Sequence, residues 1–188
     1  MASRIIVLNG VGSVGKSSAA KALQTLARDP YLHVEGDAFL EMVSPRLWGD
    51  PAGIVFERIA DGDEPSIEVK IGPAINRLMD GMRRAVATLA RAGNNCIVDD
   101  VKLSGSDQGA YLDACSDFSL QFVALRAPLD ILEQRERDRG DRLVGLARWQ
   151  FPRVHVGIEY DFEVSTVGRE PDEIARTIAS ALAIPLNK

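Results

Sequence analysis

The residues best equipped for chemistry lie near the start of the chain. In NGVGSVGKSS, Asn9 to Ser18, three glycines precede a lysine and two serines. The spacing Gly10-x-x-x-x-Gly15-Lys16-Ser17 fits the phosphate-binding P-loop pattern. Successive backbone N–H groups in such a turn form a concave nest for phosphate oxygens, and the helix that follows adds its N-terminal partial charge. The binding set this predicts is Gly10, Val11, Gly12, Ser13, Val14, Gly15, Lys16, Ser17 and Ser18. Lys16 is suited to the β- and γ-phosphates of ATP, and the Ser17 hydroxyl to Mg2+.

Three further groups supply acids and cations. Asp99 and Asp100 in CIVDDVKLSG end an apolar run, where P-loop proteins hold Mg2+ directly or through water. Adjacent strand residues point to opposite faces, so the two acids are expected to do different jobs, and the pattern does not choose between them. Asp37 in VEGDAFLE follows a glycine and opens a short helix; it reads equally as a base for an attacking hydroxyl or as a helix N-cap. In LEQRERDRGDRLVG, Arg135, Arg137, Arg139 and Arg142 surround a Gly140 break. Mobile arginines there would balance charge on a transferring phosphoryl group. The plainer reading is a solvated helix whose Glu133, Glu136, Asp138 and Asp141 pair with those arginines.

His33 and His155 do not stand at metal-ligand spacing and read as structural. Without His or Cys clusters, redox and metal-hydrolase roles have no support. Cys96 and Cys115 read as buried thiols rather than a disulfide framework. Trp48 and Trp149 read as packing residues, with Trp48 also placed to line an apolar acceptor pocket.

Elements that alternate along the chain must bring these groups together. Arg4–Leu8 reads as a buried strand and Lys16–Ala27 as a helix. Leu32–Val34 is a weak strand, and Asp37–Val43 a short helix stopped at Pro45. Residues 46–72, rich in glycine and proline, read as an irregular segment that is either mobile or functional, with Ser66–Ile71 able to form a small edge strand. Pro73 opens a long helix to about Ala92. Strands Cys96–Val98, Leu120–Leu125 and Phe162–Val164 follow, interleaved with helices Asp107–Cys115, Pro128–Arg139, a short one ending near Gln150, and Pro171–Ala183. Short apolar strands alternating with helices predict an α/β fold with a mostly parallel sheet. Ligands in such folds sit at the C-terminal edge of the strands, where the glycine loop, Asp37 and Asp99/Asp100 should meet.

The chain has 188 residues and 46% hydrophobic content, enough for one domain with its own core. A net charge of −5 argues against nucleic-acid binding driven by overall charge. No run reaches about 18 apolar residues, so no membrane span is expected. The opening MASRIIVLNG is too short in its apolar part for a signal peptide, so a cytoplasmic protein is expected.

With these residues assembled, the chain resembles the chloramphenicol phosphotransferase family. The matching pieces are IIVLNGVGSVGKSS, GDAFLE, IVDDVKLSG, RGDRLVGLA and VHVGIEYDFEVST, in order and over nearly the whole chain. The pairing of RGDR with the later motif from Val154 to Val164 is the specific part. The resemblance implies a nucleotide-kinase-like P-loop NTPase fold, three α/β/α layers around a mostly parallel five-stranded sheet. It also implies ATP, Mg2+ and phosphorylation of the primary alcohol of chloramphenicol, with Asp37 as catalytic base. On this reading Lys16, Arg135, Arg139 and Arg142 balance charge, and Ser17 with Asp99 or Asp100 holds the metal. Residues 1–188 form a single kinase domain, with 46–72 on the acceptor side and 135–150 an arginine-bearing lid. The partner is a small-molecule alcohol; a homo-oligomer is compatible with the resemblance. Two alternatives stay open: another hydroxylated acceptor (a metabolite, nucleoside or sugar nucleotide), or a nucleotide-dependent binding module that transfers nothing.

Overall fold

Strand β1 (Arg4–Asn9) runs through the middle of the molecule because its side chains meet an apolar layer on both faces. Ile5, Ile6, Val7 and Leu8 are each 0% exposed. Period-two alternation divides them. Ile6 and Leu8 join Ala20 and Leu23 of α1 (Lys16–Leu26) and Ile174 and Ile178 of α7 (Pro171–Ala181). Ile5 and Val7 join Met82 and Val86 of α3 (Pro73–Arg91) and Tyr111 of α4 (Gly105–Ala114). The result is a three-layer α/β/α arrangement. Its coordinates are a computed structural model that describes residues 3–61, 64–101, 105–140 and 143–187.

The main sheet has five strands in the order β2-β5-β1-β6-β7, with β2 (Tyr31–Glu35), β5 (Asn95–Asp99), β6 (Ser119–Arg126) and β7 (Phe162–Ser165). Every pairing in it is parallel, so all C-terminal ends lie on one edge. The helices start where the sequence provides for it. Pro73 and Pro171 occupy first-turn positions, and Glu170 and Glu173 close a reciprocal capping box on α7. Gly140, in the left-handed region at φ 67°, ends α5 (Leu129–Arg139) at the expected break. Cys96 and Cys115 are buried free thiols, as their isolation in the sequence implies.

The expectation of an irregular segment over residues 46–72 needs correcting. After a single turn at Pro45–Leu47, β3 (Ile54–Asp61) and β4 (Glu64–Ile71) form an antiparallel hairpin outside the main sheet. Ile54, Phe56 and Arg58 face Ile71, Val69 and Ile67 in register, so each strand supplies the other's ladder. The glycines that suggest disorder instead form the base. A side chain at Gly53 would come 2.0 Å from the Leu47 carbonyl oxygen, and one at Gly72 2.2 Å from that of Pro51. One backbone bond, from Ile67 N–H to the Gly145 oxygen (3.0 Å), ties the hairpin to the entry of α6 (Leu146–Gln150). The helix expected over Asp37–Val43 is also shorter: α2 spans Gly36–Leu40 and then loosens into turns.

Candidate active site

The loop Gly10–Ser17 joins the end of β1 to the start of α1 through conformations and clearances that favour glycine. Gly15 lies at φ 100°. A side chain on Gly10 would fall 2.6 Å from the Leu125 carbonyl oxygen. Lys16 is 8% exposed, and its Nζ donates to the Gly10 and Val11 carbonyls at 2.9 and 3.3 Å, spanning the loop. The Ser17 hydroxyl donates to the Asp99 carboxylate at the end of β5.

The two adjacent acids part as alternation requires. Asp99 faces α1. Burial pushes its carboxyl up, but the neighbouring His33 imidazole, Lys16 and Ser17 together outweigh this and hold its pKa below the ordinary value. Asp100 turns toward α4, where Oδ1 accepts from the Val101 N–H at 2.8 Å and Oδ2 from the Tyr111 hydroxyl at 3.3 Å. Of the two, Asp99 is the one that reaches Ser17.

Asp37 is exposed in the first turn of α2, on the same edge. Gly36 lets β2 end tight against β5: a side chain there would lie 3.1 Å from Asp100 Oδ1 and 3.3 Å from the Asp99 carbonyl oxygen. The glycine loop, Asp99 and Asp37 thus gather at the strand ends although 90 residues of sequence separate Gly10 from Asp100.

The arginines distribute differently from the sequence expectation. Arg135 is tied down: Nη1 donates to Thr166 Oγ1 at 3.0 Å and Val14 O at 3.4 Å, and Nη2 to Thr166 O at 3.0 Å. It borders a cavity of about 420 Å3 against the outer side of the loop, with Gly15, Ser18, Arg139, Arg169 and Pro171. Arg142 lies outside the described residues. Nor are the acids of α5 all solvated. Glu136 is 2% exposed, and its two oxygens accept the Gly145 and Ala147 N–H groups, each at 2.8 Å, across the first turn of α6. Glu133 pairs with Arg148 of α6 at 2.6 Å.

Sequence reasoning missed several residues that the fold brings to the loop. Gln150, buried at the end of α6, accepts the Gly12 N–H at 2.7 Å through Oε1. Asn9 donates to the Val154 carbonyl (2.9 Å) and the Tyr160 hydroxyl (2.6 Å), and Tyr160 contacts His155 Nδ1 at 2.8 Å. The motif from Val154 to Val164 therefore pins the residue that enters the P-loop. Asn9 directly before Gly10 was the one local signal. Burial and the nearby Arg126 charge lower the His155 pKa to about 4. His33 stands between two acids, Glu35 and Asp99.

Over residues 3–183 the chain matches the family described as chloramphenicol phosphotransferase-like protein. A Mycobacterium tuberculosis protein named as a candidate O-phosphotransferase is 30% identical over 185 residues, 93% of this chain and 80% of its own length. Among solved structures, an unliganded sugar kinase from Janibacter sp. aligns at TM-score 0.68 and 18% identity, over 97% of this chain and 95% of its own. The tunicamycin resistance protein of Deinococcus radiodurans aligns at 0.66 and 19%, over 99% of each chain. The Mycobacterium tuberculosis APS kinase, solved with AMPPNP and APS, aligns at 0.64 and 15%, over 96% of this chain and 98% of its own. At these identities the structural likeness is one of fold, that of P-loop kinases.

Proposed function

Since the chain belongs to the chloramphenicol phosphotransferase-like family of phosphotransferases, we propose that it moves the γ-phosphoryl group of ATP onto the primary alcohol of chloramphenicol. The observation that carries this reading is the close meeting of β2 and β5. Gly36 packs on the carbonyl of Asp99, and the next residue, the exposed Asp37, opens α2 at the same strand-end edge as the Ser17–Asp99 pair, which supports its role as the base.

Each residue then has a task. The N–H groups of the loop and Lys16 hold the phosphates of the donor. Ser17 and Asp99 are hard oxygen donors side by side, a set that suits Mg2+, and they would hold it. When bound, that ion offsets charge on the phosphoryl oxygens. Asp37 accepts the proton of the acceptor hydroxyl while the hydroxyl oxygen bonds to the γ-phosphorus and the bond from that phosphorus to ADP breaks. Arg135 fixes the loop after β7 against the P-loop and walls the cavity that takes the nucleoside of ATP. Arg139, at the same cavity, supplies positive charge toward the phosphates. Gln150 holds Gly12 in place. On the acceptor side, the Trp48 ring stacks on Phe56 at 6.2 Å between centroids, and Met42 is 67% exposed. That apolar surface suits the aromatic ring of chloramphenicol.

The direct test is mass spectrometry of chloramphenicol incubated with the protein, ATP and Mg2+. A gain of one phosphate is expected. Phosphorylation of a different alcohol in place of chloramphenicol would replace the acceptor and keep the reaction class. Transfer to no alcohol in a broad panel would leave the reading of a nucleotide-dependent binding module.

A further inference from the structure

Strand pairing assembles a second set of donors beside the phosphate loop. Glu35 on β2 stands opposite Asp99 on β5 in the parallel register, and His33 lies two residues before Glu35. Residues two apart in a strand share a face, so imidazole and both carboxylates project to the side that α1 covers. One donor atom from each of the three lies within 4.8 Å of the others. His33 Nδ1 is 3.3 Å from Glu35 Oε1, and Nε2 is 3.8 Å from Asp99 Oδ2. The His33 side chain is 7% exposed, and its Nε2 has no hydrogen-bond partner among the described residues. A buried polar nitrogen without a partner is costly to keep unless something else satisfies it.

We propose that His33, Glu35 and Asp99 form a binding site for a divalent transition ion such as Zn2+, filled without nucleotide. The donor set decides the metal. One imidazole with two carboxylates suits Zn2+, Co2+ or Mn2+, whereas Mg2+ takes oxygen ligands and water. Among the described residues, the cation competing for Glu35 is Lys21, an exposed ammonium at 3.3 Å that moves into solvent at little cost. Asp99 serves both this site and Ser17. An ion held by His33 and Glu35 therefore draws Asp99 away from Ser17, and Zn2+ acts as an inhibitor of transfer. The binding itself does not depend on the kinase reading; the inhibition rests on it. The spacing His33-x-Glu35 gives no hint of this site, because its third ligand comes from a strand more than 60 residues later.

The test is equilibrium dialysis of nucleotide-free protein against Zn2+, with the retained metal measured by atomic emission. One ion per chain is expected, and His33→Ala is expected to weaken retention about tenfold or more. Glu35→Gln, at a half-exposed position that leaves the core untouched, is expected to weaken it as well, and circular dichroism checks that both variants fold. Retention that is absent, or equal in the wild type and the variants, overturns the site. In a second arm, Zn2+ added to a transfer assay with Mg2+ and ATP is expected to inhibit the wild type more than His33→Ala; equal inhibition overturns the link to Asp99. Retention that depends on His33 in a protein that transfers no phosphate supports the site and rejects the kinase reading.

Discussion

The phosphate-loop side of this sheet edge and the side we propose for the acceptor are built on opposite plans. On the donor side the polar groups are bonded to one another and mostly buried: Lys16 to loop carbonyls, Gln150 to Gly12 and Glu136 to the first turn of α6, with the exposed Ser17 anchored on the buried Asp99. On the acceptor side, Asp37, Met42 and Trp48 are exposed, and the hairpin stands apart from the main sheet. The difference teaches how such a fold can keep one donor and vary its acceptor. A triphosphate demands fixed N–H directions, which a buried scaffold provides. An acceptor contact made by exposed side chains on a separate hairpin can change without disturbing that scaffold.

This contrast can be broken or sharpened by substitution. The largest effect is expected from Asp37→Asn, which should lower kcat by about 10²–10⁴-fold and leave ATP affinity nearly unchanged. Steady-state kinetics with nucleotide titration measures both, and full turnover would remove the acid from the mechanism. Lys16→Ala, on the donor side, should lower kcat/KM by about 10²–10³-fold and weaken ATP binding as well. Glu136→Ala leaves two buried N–H groups without their acceptor and should cost about 2–4 kcal/mol in a urea melt. A loss near zero would mean that the donor side is less tightly built than its geometry indicates. Trp48→Ala should raise the acceptor KM about fivefold, the equivalent of about 1 kcal/mol of ring contact, with the ATP KM unchanged.

A further prediction concerns pH. Folding holds the His155 pKa near 4, below its ordinary 6.5, so the unfolded chain binds the proton more readily. Its contribution to stability is therefore full above pH 6.5 and declines as pH falls toward 4. Thermal melts across that range should show the decline in the wild type and a flatter profile in His155→Gln.

Much of the donor side is legible in the sequence because its signals are local. An apolar run, three glycines, a lysine and a serine fall within adjacent residues, and strand–loop–helix follows from their order. Asp99 and Asp100 are legible as a divided pair, but only the register of β5 beside β1 gives Asp99 to Ser17. Arg135 reads as mobile because Thr166, its partner, lies beyond another strand. Gln150 and Glu136 are invisible for the same reason: their partners are backbone N–H groups, which carry no residue type. The hairpin is obscured by Pro51, Gly53, Pro65 and Gly72, residues that signal turns whether or not strands lie between them. Its alternation is weak because neither strand joins the main core.

Glu136 has a mechanical consequence. A single rigid carboxylate grips α6 at two points while its own backbone belongs to α5, so the pair must pivot as one lever rather than slide past each other. The hairpin is bonded to that lever at Gly145, and Gln150 is its far end, bonded to Gly12. The hairpin's backbone and the glycine turn are thus joined by an unbroken run of hydrogen bonds that bypasses the sheet, while the hairpin's exposed side chains lie outside that run.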